Sequence, residues 1–307
     1  MIYHGFIIAG KQDVELPTRD RASGPDPALA TVLGTRRDGQ ARAHSARSLL
    51  ITVLGEMVLT NGGSAWTQTL VDTMALVGVG EKSTRQAISR LAQRDWLTGE
   101  THGRRRHWTL TPGMRELLEH GARRIYGIGD PPEWDERWLL VLAGTAEPRR
   151  RTRYRLTTGL GWAGFGSLGP TVWVSPWVAR HDEASRVIDE TGTPAAIFRA
   201  ELTAMGDPRA ITRRAWDLDV LADRYRAFLT HSQSADPTTD PATAAGDLIR
   251  LVHGWRRFPF LDPGLPRTLL ASDWPGWPAA RRFAELHRRH RTGAQRWWQQ
   301  TEERYAA

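Results

Sequence analysis

The chain reads as an α+β protein, and three observations carry that reading. Apolar residues at helical spacing between 45 and 95 give way to a glycine-centred, arginine-rich hairpin pattern. Residues 138–202 then alternate strand and helix signals in the order β-α-β-β-α-β, and from Leu218 onward the apolar positions return to helical spacing. At 307 residues there is room for two or three units of ordinary size, each able to bury a core. The expected organisation is a mostly disordered extension over 1–44, a winged helix-turn-helix over 45–126, a ferredoxin-like βαββαβ centre over 133–205 and a helical C-terminal domain over 206–307.

From about Ser45, Leu49, Leu50, Val53, Leu54, Met57 and Val58 make a first amphipathic helix, and Thr67–Leu76 makes a second. After a short glycine-containing turn, a third helix places Thr84, Ala87, Ile88 and Leu91 at i, i+3, i+4, i+7, the spacing that packs a helix on its neighbours. Its opposite face carries Lys82, Arg85, Gln86, Ser89 and Gln93. Arg can bond guanine bidentately, Gln can bond adenine and Ser either, while Arg90 and Arg94 on the flanks suit phosphate oxygens. A solvated charged face would look similar, and the hairpin tips the balance. Thr98 to Leu110 reads as two short strands around Gly103, with Arg104, Arg105 and Arg106 just past the turn. From Lys82 to Arg106, seven Lys/Arg against Asp95 and Glu100 leave a net +5, so binding to double-stranded DNA is expected to weaken steeply with salt through counterion release.

The joint Gly127-Ile128-Gly129-Asp130-Pro131-Pro132 separates this unit from the centre. There the expected elements are a strand Trp138–Ala143, a basic helix Arg149–Trp162, strands Phe165–Leu168 and Thr171–Ser175, a helix Asp182–Thr191 and a strand Ala196–Leu202. Beyond Met205-Gly206-Asp207-Pro208, Leu218, Leu221, Ala222, Tyr225, Phe228 and Leu229 continue as a helix, interrupted by the loop Ser232–Pro241 and followed by more helix.

Formal charge is +8, but lysine occurs only at 11 and 82 among 42 Lys+Arg, a skew that records codon composition better than selection for binding. The local charge pattern therefore says more about partners than the total does. With no cysteine there is no disulfide framework, thiolate metal site or cysteine nucleophile, which is compatible with a reducing cytoplasm. The segment Met1–Gly10 lacks a basic leader pattern, and no window offers about 18 uninterrupted apolar residues, so neither export nor a membrane partner is expected.

Gly164-Phe165-Gly166-Ser167-Leu168-Gly169 formally satisfies G-x-G-x-x-G, but a helix precedes it and Pro170 and a strand follow, the reverse of a dinucleotide-binding turn. It also fails G-x-S-x-G, since Phe165 stands where the first glycine belongs. His287 with His290, and His102 with His107, lie among arginines without carboxylates at ligand spacing, so solvated surface histidines are expected and no metal. Arg149, Arg150 and Arg151 could clamp the phosphates of a coenzyme A, extend a DNA footprint or form a solvated face. Trp162 and Trp173 could line an aromatic acyl pocket, though aromatics on strands more often pack in cores.

Together these residues resemble the PaaX-like family of bacterial repressors of phenylacetic acid catabolism. The resemblance rests on Arg85–Leu91 with Asp95-Trp96-Leu97, on Trp138–Val141 with Arg149–Leu160, on Trp162–Gly166 with Val172–Pro176, and on Phe258–Pro266 with Leu269-Leu270 and Trp274-Pro275-Gly276. It implies a cytoplasmic homodimeric repressor of a catabolic gene cluster, not an enzyme and without a cofactor, released from its operator by an acyl-CoA such as phenylacetyl-CoA. The implied centre is similar to a small CRISPR-associated nuclease, which keeps a metal-dependent nuclease open as an alternative. Such nucleases carry an acidic residue at the end of their first strand, where this chain has Ala143-Gly144-Thr145 with Glu147 displaced beyond. A DNA-binding regulator without an effector is the other alternative.

Overall fold

The computed structural model describes residues 46–127, 133–144, 150–232 and 240–306. The expected 1–44 extension, most of the Gly127–Pro132 joint and of the Ser232–Pro241 loop, and Arg149 lie outside those residues. What is described is a mixed α+β structure with two sheets.

Helix α1 (Ala46–Val53) runs on into a π-helical turn, Leu54–Val58, and together they bury Leu50, Val53, Leu54 and Met57. Strand β1 (Ser64–Trp66) leads straight into α2 (Thr67–Ala75), and α3 (Glu81–Ala92) follows a turn in which Gly78 takes φ 81°. The buried residues of α3 are Thr84, Ala87, Ile88 and Leu91, the stripe that its spacing requires. At Asp95, φ 56°, the chain reverses into β2 (Leu97–His102), which pairs antiparallel with β3 (Arg105–Leu110); β1 completes the sheet in the order β1-β3-β2. His102 faces Arg105 in the register, leaving Gly103 and Arg104 as a two-residue turn. Gly103 has φ 60°, the conformation that primed hairpin turns demand at their first central residue. Thr111 then caps α4 (Pro112–Tyr126), accepting from the Met114 amide, while Pro112 occupies a first-turn position whose missing N–H costs nothing.

The centre runs β4 (Arg137–Ala143), α5 (Arg150–Trp162), β5 (Gly166–Gly169), β6 (Val172–Ser175), a 3-10 turn Val178–Arg180, α6 (His181–Thr191) and β7 (Ala195–Glu201). The wholly antiparallel sheet has the order β5-β6-β4-β7, so each helix crosses over one strand, as in the split βαβ arrangement. Alternation on β4 sends Leu139, Val141 and Ala143 toward α5 and α6, where they meet Leu156, Leu160, Phe165 and Trp173. Trp138 points the other way and packs with Val174 and Leu269.

Helices α7 (Pro208–Ala215), α8 (Leu218–His231) and α9 (Pro241–Trp255) each start behind an aspartate that accepts from a backbone amide in the first turn: Asp207 from Arg209, Asp217 from Val220, Asp240 from Thr243. A short helix α10 (Phe258–Leu261), a strap through Leu270 and the 31-residue α11 (Gly276–Ala306) complete the chain. Leu248, Val252, Trp255, Phe283 and Trp298 lie in the same buried cluster as Leu50, Leu70, Met74 and Leu91, so the C-terminal helices share one core with the N-terminal unit. Trp255 and Phe283 stack at 4.6 Å across that core.

This packing corrects the expectation of solvated histidines on α11. His290 is 4% exposed, and His287 Nε2 lies 2.7 Å from Glu56 Oε1 in the π-helical turn, where Glu56 also accepts from the Tyr126 hydroxyl. The helical spacing of these histidines was readable; the partner surface that covers them was not. No helix among the described residues is long and apolar enough to cross a membrane.

Candidate nucleic-acid interface

Because the stripe through Ile88 and Leu91 anchors α3, its other face is turned to solvent. Lys82, Arg85, Gln86, Ser89 and Arg90 are all exposed there, and Arg94 is exposed just beyond the helix end. Arg85 is held rather than loose: its Nε donates to Glu81 Oε1 at 2.7 Å and its Nη2 to Gln68 Oε1 at 3.2 Å. Gln68 in turn donates to Asp72 Oδ1 at 3.0 Å, and Asp72 Oδ2 accepts from the Tyr305 hydroxyl at 2.7 Å. A polar chain therefore runs from α3 through α2 to the last turn of α11.

The hairpin is fixed against the same helices. Trp108 Nε1 donates to Thr67 Oγ1 at 3.0 Å, and that hydroxyl donates to the Arg106 carbonyl at 2.9 Å. The Arg106 guanidinium lies 4.4 Å over the Trp108 ring, which preorients the cation without neutralising it. Arg105 Nη1 donates to the Tyr305 carbonyl at 2.9 Å, and the Trp66 amide donates to Glu302 at 3.1 Å. His102 and His107 pack their rings against Trp66, at 5.5 and 4.6 Å. Arg85, Arg104, Arg105 and Arg106 border one concavity with Gln68 and Tyr305, so the helix and the hairpin present their cations on a common side.

Arg47 escaped the sequence reading. It stands in the first turn of α1 over the Trp96 ring at 5.5 Å, and its Nε and Nη2 are buried without a hydrogen-bond partner among the described residues. Burial lowers its pKa, and the charges of Arg94 and Arg90 push in the same direction. Three guanidiniums gathered at one end of α3 are a natural seat for a phosphate, which accepts their forked N–H groups. No pattern within α1 marks Arg47, because only the folded chain brings it to Arg90 and Arg94.

The residues expected at an effector do not converge. Arg149 lies outside the described residues and Arg150 opens α5; Arg151 is exposed in the first turn, whereas Trp162 sits at the other end of that helix, roughly 16 Å away at 1.5 Å per residue. Trp173 is 2% exposed within the core between the sheet and α5–α6. Trp162 lines a cavity where the three segments of the chain meet.

Three family models tile this architecture: PaaX-like protein over residues 45–113, PaaX protein central Cas2-like domain over 131–212, and PaaX-like protein C-terminal domain over 216–300. The chain belongs to the PaaX-like family. The helix-and-hairpin surface lies within or beside the first of these matches, and the Phe258–Pro266 strap within the last. A PaaX relative, transcriptional repressor PaaX of Escherichia coli (strain K12), is 28% identical over 264 residues, covering 80% of each chain. The solved structure of an uncharacterized protein from Mycobacterium tuberculosis matches with a TM-score of 0.59 at 21% identity, covering 84% of this chain and 98% of that one. At that identity the likeness is one of fold.

Proposed function

We propose that residues 46–126 form a winged helix-turn-helix whose helix α3 enters the major groove of an operator, and that the chain is a transcriptional repressor. The carrying observation is that Arg85, which shares the exposed α3 face with Lys82, Gln86 and Ser89, borders the same concavity as Arg104, Arg105 and Arg106 of the hairpin. Base-reading side chains are thereby flanked by phosphate-holding cations, Arg90 and Arg94 at one end and the hairpin at the other. The name of the Escherichia coli relative points the same way.

In this reading the chain works as a cytoplasmic homodimer controlling a phenylacetate-type catabolic gene cluster. A dimer places two recognition helices on half-sites about 34–36 Å apart. An acyl-CoA that binds better to a geometry mismatched to that spacing lowers DNA affinity by the same coupling factor with which DNA lowers acyl-CoA affinity, typically about five- to 150-fold.

The test is fluorescence anisotropy of the purified chain on duplex DNA from upstream of its own gene, titrated with phenylacetyl-CoA and a panel of other acyl-CoAs. Tight, salt-sensitive binding released by one thioester is the expected result. Absence of binding would refute the repressor reading, and binding that no thioester alters would remove the effector while leaving DNA recognition in place.

A further inference from the structure

Two pairs at i, i+4 spacing, Gln68 with Asp72 on α2 and Glu81 with Arg85 on α3, make up the inner part of the polar chain that ends at Tyr305. Its order is dictated by chemistry. An ionised carboxylate only accepts, and Asp72 gives one oxygen to the Tyr305 hydroxyl at 2.7 Å and the other to the Gln68 amide at 3.0 Å. Gln68 must therefore turn its NH2 to Asp72, which leaves its carbonyl for Arg85 Nη2 at 3.2 Å. The reverse orientation would set carbonyl against carboxylate and NH2 against guanidinium. The bond to Asp72 raises the pKa of the Tyr305 hydroxyl, desolvation adds to the rise and Arg304 opposes it, so the hydroxyl remains a donor at neutral pH.

The backbone of the same residue serves the hairpin, where the Tyr305 carbonyl accepts from Arg105 Nη1 at 2.9 Å. One residue thus holds a hairpin cation with its carbonyl and, through two side chains of α2, an α3 cation with its hydroxyl. The end of α11 is docked independently of that hydroxyl. Trp298 and Thr301 are buried, and Glu302 accepts from the Trp66 amide at 3.1 Å. A guanidinium carries five N–H donors, so the bond to Gln68 occupies one of them and leaves a fork for a base edge. A fork already held in one orientation has less rotamer freedom to lose when it binds.

We infer that Tyr305 is a positioning residue for base recognition: through Asp72 and Gln68 its hydroxyl orients the Arg85 guanidinium, while its carbonyl holds Arg105, so that α11 keeps the two arginines in register. The inference rests on the reading of α3 as the recognition helix. It adds a residue that contacts no DNA, lies 233 residues from its partner Asp72 and alters sequence preference rather than general attraction.

Tyr305→Phe tests it, because the ring and the carbonyl that holds Arg105 both remain and only the hydroxyl is lost. Gln68→Met breaks the same chain in its middle. Anisotropy of the full chain on upstream and scrambled duplexes is combined with NMR of the Arg85 Nε–H group in the DNA-free protein, its signal identified by its disappearance in Arg85→Ala. Each variant is expected to lower the preference for the upstream duplex by about three- to tenfold, the size of one net hydrogen bond, while affinity for the scrambled duplex changes less than about twofold. In the Arg85→Ala background Tyr305→Phe should then alter the preference by less than about twofold, since the two residues act as one unit. The Arg85 Nε–H signal should exchange faster with water in both variants. An Arg85 signal or a duplex preference unchanged by Tyr305→Phe, or an equal loss of preference in the Arg85→Ala background, would overturn the proposal while leaving DNA recognition by α3 intact. A wild type that prefers neither duplex would instead refute the recognition-helix reading, and the role of Tyr305 with it.

Discussion

Arg85→Ala separates base reading from phosphate holding. Its guanidinium is positioned at the outer face of α3 but spends the free state on Glu81, an i,i+4 pair with side chains 49% and 58% exposed. Such an exposed pair is worth about 0.3–0.5 kcal/mol, so its loss should leave folding nearly untouched. A bidentate bond to the correct base discriminates by about 1–3 kcal/mol. Since Glu81 must be released first, the net loss on a cognate duplex is about 0.5–2.5 kcal/mol, roughly two- to 70-fold. A scrambled duplex offers no such base, and there Arg85→Ala should cost only its share of the general attraction. Arg105→Ala, which removes a hairpin cation, should instead weaken both duplexes by the same factor. Glu81→Gln provides the opposite sign, because it frees Arg85 and removes a negative charge beside the DNA. The assay is anisotropy on upstream and scrambled duplexes at about 0.1 M salt, where screening over ~10 Å is moderate. Equal losses on both duplexes for Arg85→Ala, indistinguishable from those of Arg105→Ala, would refute the assignment of α3 as the reading helix.

Arg94→Gln should lower the slope of log affinity against log salt by about 0.9 if Arg94 neutralises one phosphate, and an unchanged slope would place it off the backbone. His290 is buried, and its pKa lies below the ordinary histidine value chiefly through burial, with Arg289 and His287 acting in the same sense and Asp247 opposing. The unfolded chain therefore takes up that proton first as pH falls below about 6.5, so stability is full above this pH and declines through the window beneath it until the folded state protonates too. His290→Gln should flatten the fall in Tm between about pH 7 and pH 5.5, and an unaltered fall would assign it to another group. Gly293→Ala in mid-α11 pits propensity against packing. Helix propensity alone predicts a gain of about 1 kcal/mol. A Cβ at that position would stand 2.6 Å from the Ala244 Cβ, so urea unfolding should report a loss, and a gain would mean that α9 and α11 can separate at little cost.

The parts of the fold legible in the sequence are those set by short-range periodicity. The buried stripe of α3 is Thr84, Ala87, Ile88 and Leu91, as its spacing demands, and the elements of the central sheet fall within one residue of their expected ends. Gly103 marks the hairpin turn because only positive φ serves there, although Arg104 proves to lie in the turn rather than past it. What stayed hidden depends on separations of many tens to hundreds of residues. Arg47 reaches Arg90 and Arg94 through tertiary packing, and Glu56 meets His287 across 231 residues. Trp162 and Trp173 look alike in sequence as aromatics near the strands, yet one lines a cavity and the other is core.

The shared core also alters how the surface of α3 and the hairpin should be understood. A helix-turn-helix on a tether could turn freely, and a signal bound elsewhere would have little to push against. Here Trp298 lies 2% exposed in the cluster that holds Leu70 and Met74 of α2, while Glu302 and Tyr305 from the next turns engage Trp66, Asp72 and Arg105. Roughly 32–42 Å of continuous helix, at 1.5 Å per residue, connects those contacts to Trp277 at the three-way junction. Close-packed cores change by discrete rearrangement rather than by gradual compression, so a displacement at Trp277 is either absorbed by repacking near Phe283 or delivered to the hairpin. The close approach of Gly293 to Ala244 argues for delivery, because it leaves α11 little freedom to slide against α9 midway along its length.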